Sequence, residues 1–258
     1  MRSEADQVRF ARPRHVEGLE LLTASYAPRR FPTHVHPELV IGAIVEGAER
    51  LTMRGRDWHA AEGSVLVIPP GEAHANAAID GQRMGYRVFY VPAHWLTNEA
   101  FRPSATVIAN RALFGQVVLT HRRLSAESGA MEQQWLLSNL LGVLGGNCGR
   151  DIEVTPSARL CAARSFLEEH YRADCALTDV AAAAGLSTFH LARSFHAQFG
   201  VSPIAYRNQL RVMEARRLLR DGMPIAEAAL QVGLADQSHL TRLFQRVMGT
   251  TPGRYAQQ

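Results

Sequence analysis

One stretch near the end of the chain occurs twice, and this repetition restricts the fold more than any other feature. The first copy reads GLSTFHLARSFHAQFGVSPIAY, from Gly185 to Tyr206, and the second GLADQSHLTRLFQRVMGTTPGRY, from Gly233 to Tyr255. Gly185 and Leu186 match Gly233 and Leu234 at an offset of 48. His190, Leu191, Arg193, Phe195, Gly200, Pro203 and Tyr206 match His239, Leu240, Arg242, Phe244, Gly249, Pro252 and Tyr255 at an offset of 49, so one residue has entered the turn of the second copy. A shared period makes each copy one supersecondary unit.

Each unit begins with a short apolar helix, LTDVAAAAGL or PIAEAALQVGL. Thr178 suits its N-cap in the first copy, and Pro224 suits the first turn in the second. Gly185 and Gly233 end these helices where a left-handed backbone is needed. A second helix follows at once, capped by Ser187 or Asp236. Two helices joined by a tight glycine turn form a helix-turn-helix. On the second helix, Leu191, Phe195 and Phe199 share an inward face, as do Leu240, Phe244 and Met248. Thr188, Phe189, Ala192, Arg193 and His196 lie outward in the first copy, and Gln237, Ser238, Thr241, Arg242 and Gln245 in the second. Arg pairs with guanine and Gln with adenine in the major groove, so these ten positions are the candidate readers of double-stranded DNA. His190 and His239 read instead as structural residues at the helix starts.

The segment from about Arg159 to Tyr255 resembles the DNA-binding domain of the AraC/XylS family of transcription regulators, with PIAEAALQVGLADQSHLTRLFQRVMGTTPGRY carrying most of the likeness. The resemblance implies two helix-turn-helix units joined by one long helix, here from about Ile204 to Arg220. Its seventeen residues would span about 25 Å, of the order of one DNA turn of about 34 Å.

Charge agrees with this division. From Thr155 onward there are 12 Arg and 8 Asp plus Glu, whereas the earlier residues carry 16 of each sign. All of the net +4 therefore sits on the segment that would meet phosphate. The charged start, MRSEADQVRF, has no apolar run behind it, so no signal peptide, no membrane span and a cytoplasmic location are expected. Cys148, Cys161 and Cys175 lack Cys-x-x-Cys spacing and read as small buried hydrophobes.

The first half changes character along its length. Residues 1 to about 30 read as an arm with one apolar patch, Leu19 to Leu22. From Arg30 to about Val107, short runs such as ELVIGAIVEG, AERLTMRG, GSVLVIPPG and MGYRVFYV alternate with Gly, Pro and Asp, which predicts a β-sandwich or barrel. NRALFGQVVLTHRRL and MEQQWLLSNLLGVLGG then predict an antiparallel helical pair. Leu113, Val117 and Leu124 form one apolar stripe; Trp135, Leu136, Leu140 and Leu144 form another. Leu137, Leu141 and Val143 exceed what one covering face needs, which points to a second copy of the chain packed there. The expected fold class is thus two-domain α+β. Residues 1–107 form the arm and effector-binding barrel, 108–148 a dimerising helical pair, 149–157 a linker, and 158–258 an all-α domain with two helix-turn-helix units.

HVHPELV (His34–Val40) and GSVLVIPPGEAH (Gly63–His74) resemble the two motifs of the cupin barrel, which agrees with the cupin-like effector domain of AraC-type regulators. His34, His36 and Gly47 hold the first spacing; Gly63, Pro69, Gly71 and His74 hold the second. The third metal ligand of that pattern falls on Val40, and Ala78 stands where Asn is usual. Residues 34, 36, 38 and 40 of one strand would share a face. His34, His36, Glu38 and His74 are therefore the candidate effector-binding set, and also a candidate set for a divalent transition metal. Expected partners are promoter DNA, a small-molecule effector, RNA polymerase and a second copy. The reading is a transcription regulator of the activator type with no catalytic residues. Its rivals are a metal-dependent cupin enzyme fused to a DNA-binding domain and a constitutive DNA binder with a degenerate barrel.

Overall fold

The computed structural model describes residues 5–96, 104, 106–148 and 157–257. Contacts divide the chain into two compact units, residues 1–30 with 36–152, and 31–35 with 153–258. Residues 31–34 belong to a strand that is hydrogen-bonded into the first unit's sheets and are described with them.

Ten strands are present among the described residues: β1 (Gln7–Ala11), β2 (Glu20–Tyr26), β3 (Arg30–His34), β4 (Leu39–Glu46), β5 (Ala48–Met53), β6 (Arg56–Ala61), β7 (Val65–Ile68), β8 (His74–Ala78), β9 (Met84–Val91) and β10 (Thr106–Ile108). They form two sheets, in the orders β1-β2-β9-β4-β7-β10 and β3-β8-β5-β6. The four runs read from the sequence became β4, β5, β7 and β9. The supposed arm is not one. Residues 7–11 and 20–26 pair antiparallel as β1 and β2, and β2 pairs with β9. The Leu19–Leu22 patch marked a strand, and alternation alone was too short there to show it.

The six-stranded sheet has two apolar faces. Leu21, Ile41, Val65, Val67, Phe89 and Val91 pack on one side with helices α1 (Arg111–Leu124) and α2 (Ala130–Asn147). The alternate residues Leu22, Val40, Val88 and Tyr90 are buried on the other side. Asn110 donates to Asn147 at 3.3 Å and Arg123 to Glu132 at 2.6 Å, so the start of each helix meets the end of the other and the pair is antiparallel. Leu136, Leu137, Leu140, Leu141 and Leu144 all join the chain's own core. The surplus of apolar residues on α2 is thus absorbed internally: α1 lies on the sheet against β4, β7 and β9, and α2 packs against α1. Trp135, assigned to the inward stripe, is 58% exposed instead, with Met131 at 85% one turn before it.

The second unit is helical: α3 (Ala158–His170), α4 (Leu177–Ala183), α5 (Thr188–Phe199), α6 (Pro203–Arg220), α7 (Ile225–Gln231), α8 (Gln237–Met248) and α9 (Pro252–Ala256). Both repeats fold as anticipated. Gly185 and Gly233 have φ of 60° and 80° at the turns, and Gly200 and Gly249 close α5 and α8 in the same left-handed region. Ser187 accepts from the His190 N–H at 3.3 Å, and Asp236 from the His239 N–H at 2.7 Å. The caps therefore use the histidines' backbone, not their imidazoles. One cap differs: α4 starts before Thr178, at Leu177. Asp179 accepts the Ala176 N–H at 2.8 Å, a carboxylate reaching back to the helix start in place of a hydroxyl cap. Pro224 is likewise the N-cap of α7 and not its first residue. Cys148, Cys161 and Cys175 are half-buried and are joined by no disulfide among the described residues. The anticipated linker lies outside the described residues apart from its last one, Ser157, which caps α3. No described helix is long and apolar enough to cross a membrane.

Candidate functional site

The first site is the pair of second helices. Leu191, Phe195, Leu240 and Phe244 are fully buried, which fixes the opposite faces outward. Thr188, Phe189, Arg193 and His196 are exposed on α5, with Ala192 half-buried; Phe189 is 76% exposed. Gln237, Ser238, Arg242 and Gln245 are exposed on α8. Thr241 is half-buried, and its hydroxyl donates to the Gln237 carbonyl at 2.8 Å. That bond leaves its hydroxyl oxygen as an acceptor only. Arg246, one turn beyond Arg242, is exposed on the same side and was overlooked in the sequence; its i+4 spacing from Arg242 was the available signal. Arg193, Arg242 and Arg246 form no ion pair among the described residues, so each face keeps its positive charge available. α6, eighteen residues long, separates the two readers by about 27 Å of helix.

The second site lies in the β-rich unit. β3 and β8 are neighbours in the four-stranded sheet, which brings His34 and His74 together, and His36 follows directly after β3. The three are buried, with one ligand nitrogen of each lying within 4.8 Å of the other two. The rings of His36 and His74 are 5.4 Å apart, and Tyr90 of β9 stands 5.3 Å from His36. Nδ1 of His34 lies 2.8 Å from the Pro32 carbonyl, and Nδ1 of His74 lies 3.1 Å from the Glu72 carbonyl. A carbonyl accepts only, so each Nδ1 carries a proton, and Nε2 is the ring nitrogen left to face a ligand. Burial lowers the His34 pKa and keeps the ring neutral, with the Pro32 hydrogen bond acting in the opposite sense.

This arrangement passes a test for a divalent transition metal. Backbone carbonyls orient two of the imidazoles, the usual outer-shell device of a histidine metal site, and the third joins them. Three histidines leave a coordination position open. Glu38 is not part of the group. The sequence reading placed residues 34 to 40 on one strand, but β3 stops at His34 and β4 starts at Leu39. Pro37 has no N–H to continue a ladder, and the chain bends at residues 37–38. Residues 34 to 40 therefore do not form the single strand whose alternation was to place Glu38 beside the histidines. Val40 is buried in β4 opposite Ile68, and Ala78 pairs with Glu49.

Comparisons with known proteins follow the same two-part division. Residues 18–141 match the AraC-like ligand binding domain, and residues 180–258 match a helix-turn-helix domain. The chain is 31% identical to the uncharacterized HTH-type transcriptional regulator YbfI of Bacillus subtilis over 228 residues, covering 82% of each chain. It is 29% identical to the transcriptional activator RhaS of Klebsiella pneumoniae over 86% of each, and 25% identical to the arabinose operon regulatory protein of Escherichia coli over 84% of this chain and 79% of that one. Among solved structures, ToxT of Vibrio cholerae superposes with a TM-score of 0.56 at 12% identity, covering 92% of this chain and 96% of that one, which is a likeness of fold. With both domain matches in chain order and the extended identity to YbfI, this chain belongs to the AraC/XylS family of transcription regulators.

Proposed function

We propose that the chain is a cytoplasmic, homodimeric, effector-responsive regulator that binds promoter DNA through α5 and α8 and acts there on RNA polymerase. The carrying observation is the matched pair of helix-turn-helix units, each presenting an exposed Arg, Arg193 and Arg242, at the same place on an outward face. In this reading the outward residues of α5 and α8, with Arg246 added, contact DNA: Arg and Gln read base edges and the rest position the backbone. The domain boundaries that accompany it are residues 1–107, 108–148, 149–157 and 158–258. The dimer contact is moved from the buried leucines of α2 to its exposed apolar residues, Met131 and Trp135, together with Leu119 of α1. Large apolar side chains left in water at one helical pair favour association.

The effector site in this reading is the end of the β-rich unit bearing His34, His36 and His74, with Glu38 at its edge and not on the strand face. ToxT has been crystallised with an unsaturated fatty acid bound, which makes a small molecule the kind of signal to seek here. A divalent transition metal would be held by the three histidines and would offer its open position to an electron-rich group of the effector. The relatives are transcriptional regulators, and the site is read accordingly as sensing.

The test is selection of duplexes from a random pool by the full-length chain, followed by binding of the recovered duplex to wild type, Arg193→Ala and Arg242→Ala. Enrichment of a motif with two parts, each part lost in one variant, is expected. No enrichment, or equal loss of both parts in each variant, refutes the two-reader arrangement. A thermal-shift screen of small metabolites, repeated with chelator and with His74→Ala, tests the effector site. A ligand response unaffected by His74→Ala would remove the histidines from it.

A further inference from the structure

The β-rich unit has a second polar centre, distinct from the histidines. Glu49 of β5 is 1% exposed, and with Leu51 and Met53 it forms the buried face of that strand. Tyr86 reaches it from β9 of the other sheet, and Asn76 from the neighbouring β8. Both donate to the same oxygen, Oε2, Asn76 at 2.9 Å. The other oxygen, Oε1, is buried and has no hydrogen-bond partner among the described residues.

A buried carboxyl in a structure of this kind normally has a cation against it or is fully hydrogen-bonded. The other buried acid of this unit follows that rule: Glu20 receives Arg12 at 2.9 Å. Glu49 has no ion pair among the described residues. Burial raises its pKa, and the bonds from Tyr86 and Asn76 oppose that rise. The two donors fix the carboxyl plane and leave one acceptor oxygen open. A site organised in this way asks for a hydrogen-bond donor from outside the chain, and a cationic donor would also supply the missing counter-charge.

We infer that Glu49 is the anchor for a protonated amine carried by the effector, with Oε1 accepting the ammonium N–H and Tyr86 and Asn76 holding the carboxyl in position. This rests on the reading of the β-rich unit as the effector domain. Tyr86 and Tyr90 are four residues apart on the same face of β9, about 13 Å along the strand. Tyr86 touches Glu49 and Tyr90 stands beside His36, so the amine end and the imidazole end are separated by the length of a short aliphatic chain.

The experiment uses a matched series on one carbon chain: hexamethylenediamine, aminohexanoate, hexanediol and adipate. The thermal midpoint of the full chain is measured with each, at concentrations up to about 10 mM, for wild type, Glu49→Gln and His74→Ala. Glutamine retains an oxygen for Tyr86 and Asn76 but replaces Oε1 with an NH2 donor, so the fold is kept and the amine is refused. The two amines should raise the wild-type midpoint and the diol and diacid should not. Glu49→Gln should lose that response, with at least a tenfold weaker dissociation constant, while its ligand-free midpoint equals or exceeds that of wild type. The inference is overturned if hexanediol stabilises as well as the diamine, if Glu49→Gln still responds to amine, or if neither amine has an effect. A large fall in the ligand-free midpoint of Glu49→Gln also overturns it, because the carboxylate would then be a structural strut. Stabilisation by the diol or diacid that is lost in His74→Ala would leave the effector domain standing while removing the amine anchor.

Discussion

Gly185 and Gly233 occupy the same place in the two repeats, yet replacing each with alanine should have unequal effects. Both have positive φ, 60° and 80°, so a Cβ at either carries the left-handed penalty of about 1–2 kcal/mol. At Gly185 an added Cβ meets no atom within 4 Å, and that penalty is the whole cost. At Gly233 the same Cβ would lie 2.0 Å from the Arg172 carbonyl oxygen and 2.8 Å from its carbon. These are backbone atoms of the turn just beyond α3, and relieving the overlap means moving that turn against the end of α7. Overpacking of this kind costs about 1–3 kcal/mol beyond the backbone term, so Gly233→Ala should destabilise by about 2–5 kcal/mol against about 1–2 for Gly185→Ala. Urea unfolding followed by far-ultraviolet circular dichroism reads the helical unit. The three tryptophans, Trp58, Trp95 and Trp135, all lie in the β-rich unit, so their fluorescence serves as the internal control. Equal losses for the two variants, or a larger loss for Gly185→Ala, would refute the argument that the Arg172 carbonyl sets the difference.

His121 of α1 is 2% exposed, donates to the Leu22 carbonyl at 3.2 Å and sets its ring edge-on to Phe89; burial, with Arg87 nearby, lowers its pKa from 6.5 to about 4. The unfolded chain binds this proton first, so the stabilisation is fully present above about pH 6.5 and is lost as pH falls through 6.5 towards 4, to a limit of about 3 kcal/mol. Denaturant midpoints of wild type and His121→Gln measured between those values should show a smaller acid slope in the variant; identical slopes would contradict the assignment. Leu140→Ala should cost about 2–5 kcal/mol as a core cavity, whereas Trp135→Arg should leave the unfolding midpoint within about 0.5 kcal/mol and abolish a dimer seen by sedimentation. Arg242→Ala should weaken the selected duplex by about 1–3 kcal/mol and a scrambled duplex much less; equal loss on both would mark a phosphate contact.

The DNA-binding half was legible from the sequence because its signals are local. A helix-turn-helix needs a capping side chain, a glycine with positive φ and an apolar face repeating every three to four residues. Ser187, Asp236, Gly185, Gly233, Phe195 and Phe244 each met one of these requirements within a few residues of chain, and their recurrence confirmed the pattern. The identity of β4, β5, β7 and β9 was legible for the same reason, through apolar alternation between turn residues.

What only the tertiary structure decided depends on residues distant in sequence. Leu137 and Leu141 looked surplus on an isolated helix, yet both join the chain's own core where α2 packs against α1, which leaves Trp135 and Met131 outside. Glu38 followed the strand alternation on paper, but the chain leaves β3 at His34 and bends at residues 37–38, and the group that forms is His34, His36 and His74 without it. Residues 7–26 lacked enough alternation to be recognised as strands, because β1 and β2 exist through their pairing with each other and with β9. The bond that joins Glu49 to Tyr86 spans two sheets and 37 positions, a separation over which no local pattern carries information. Local backbone chemistry and periodicity specify elements; which atoms those elements bring within hydrogen-bonding distance is set by how the sheets and helices stack, and that determined both polar centres of the β-rich unit.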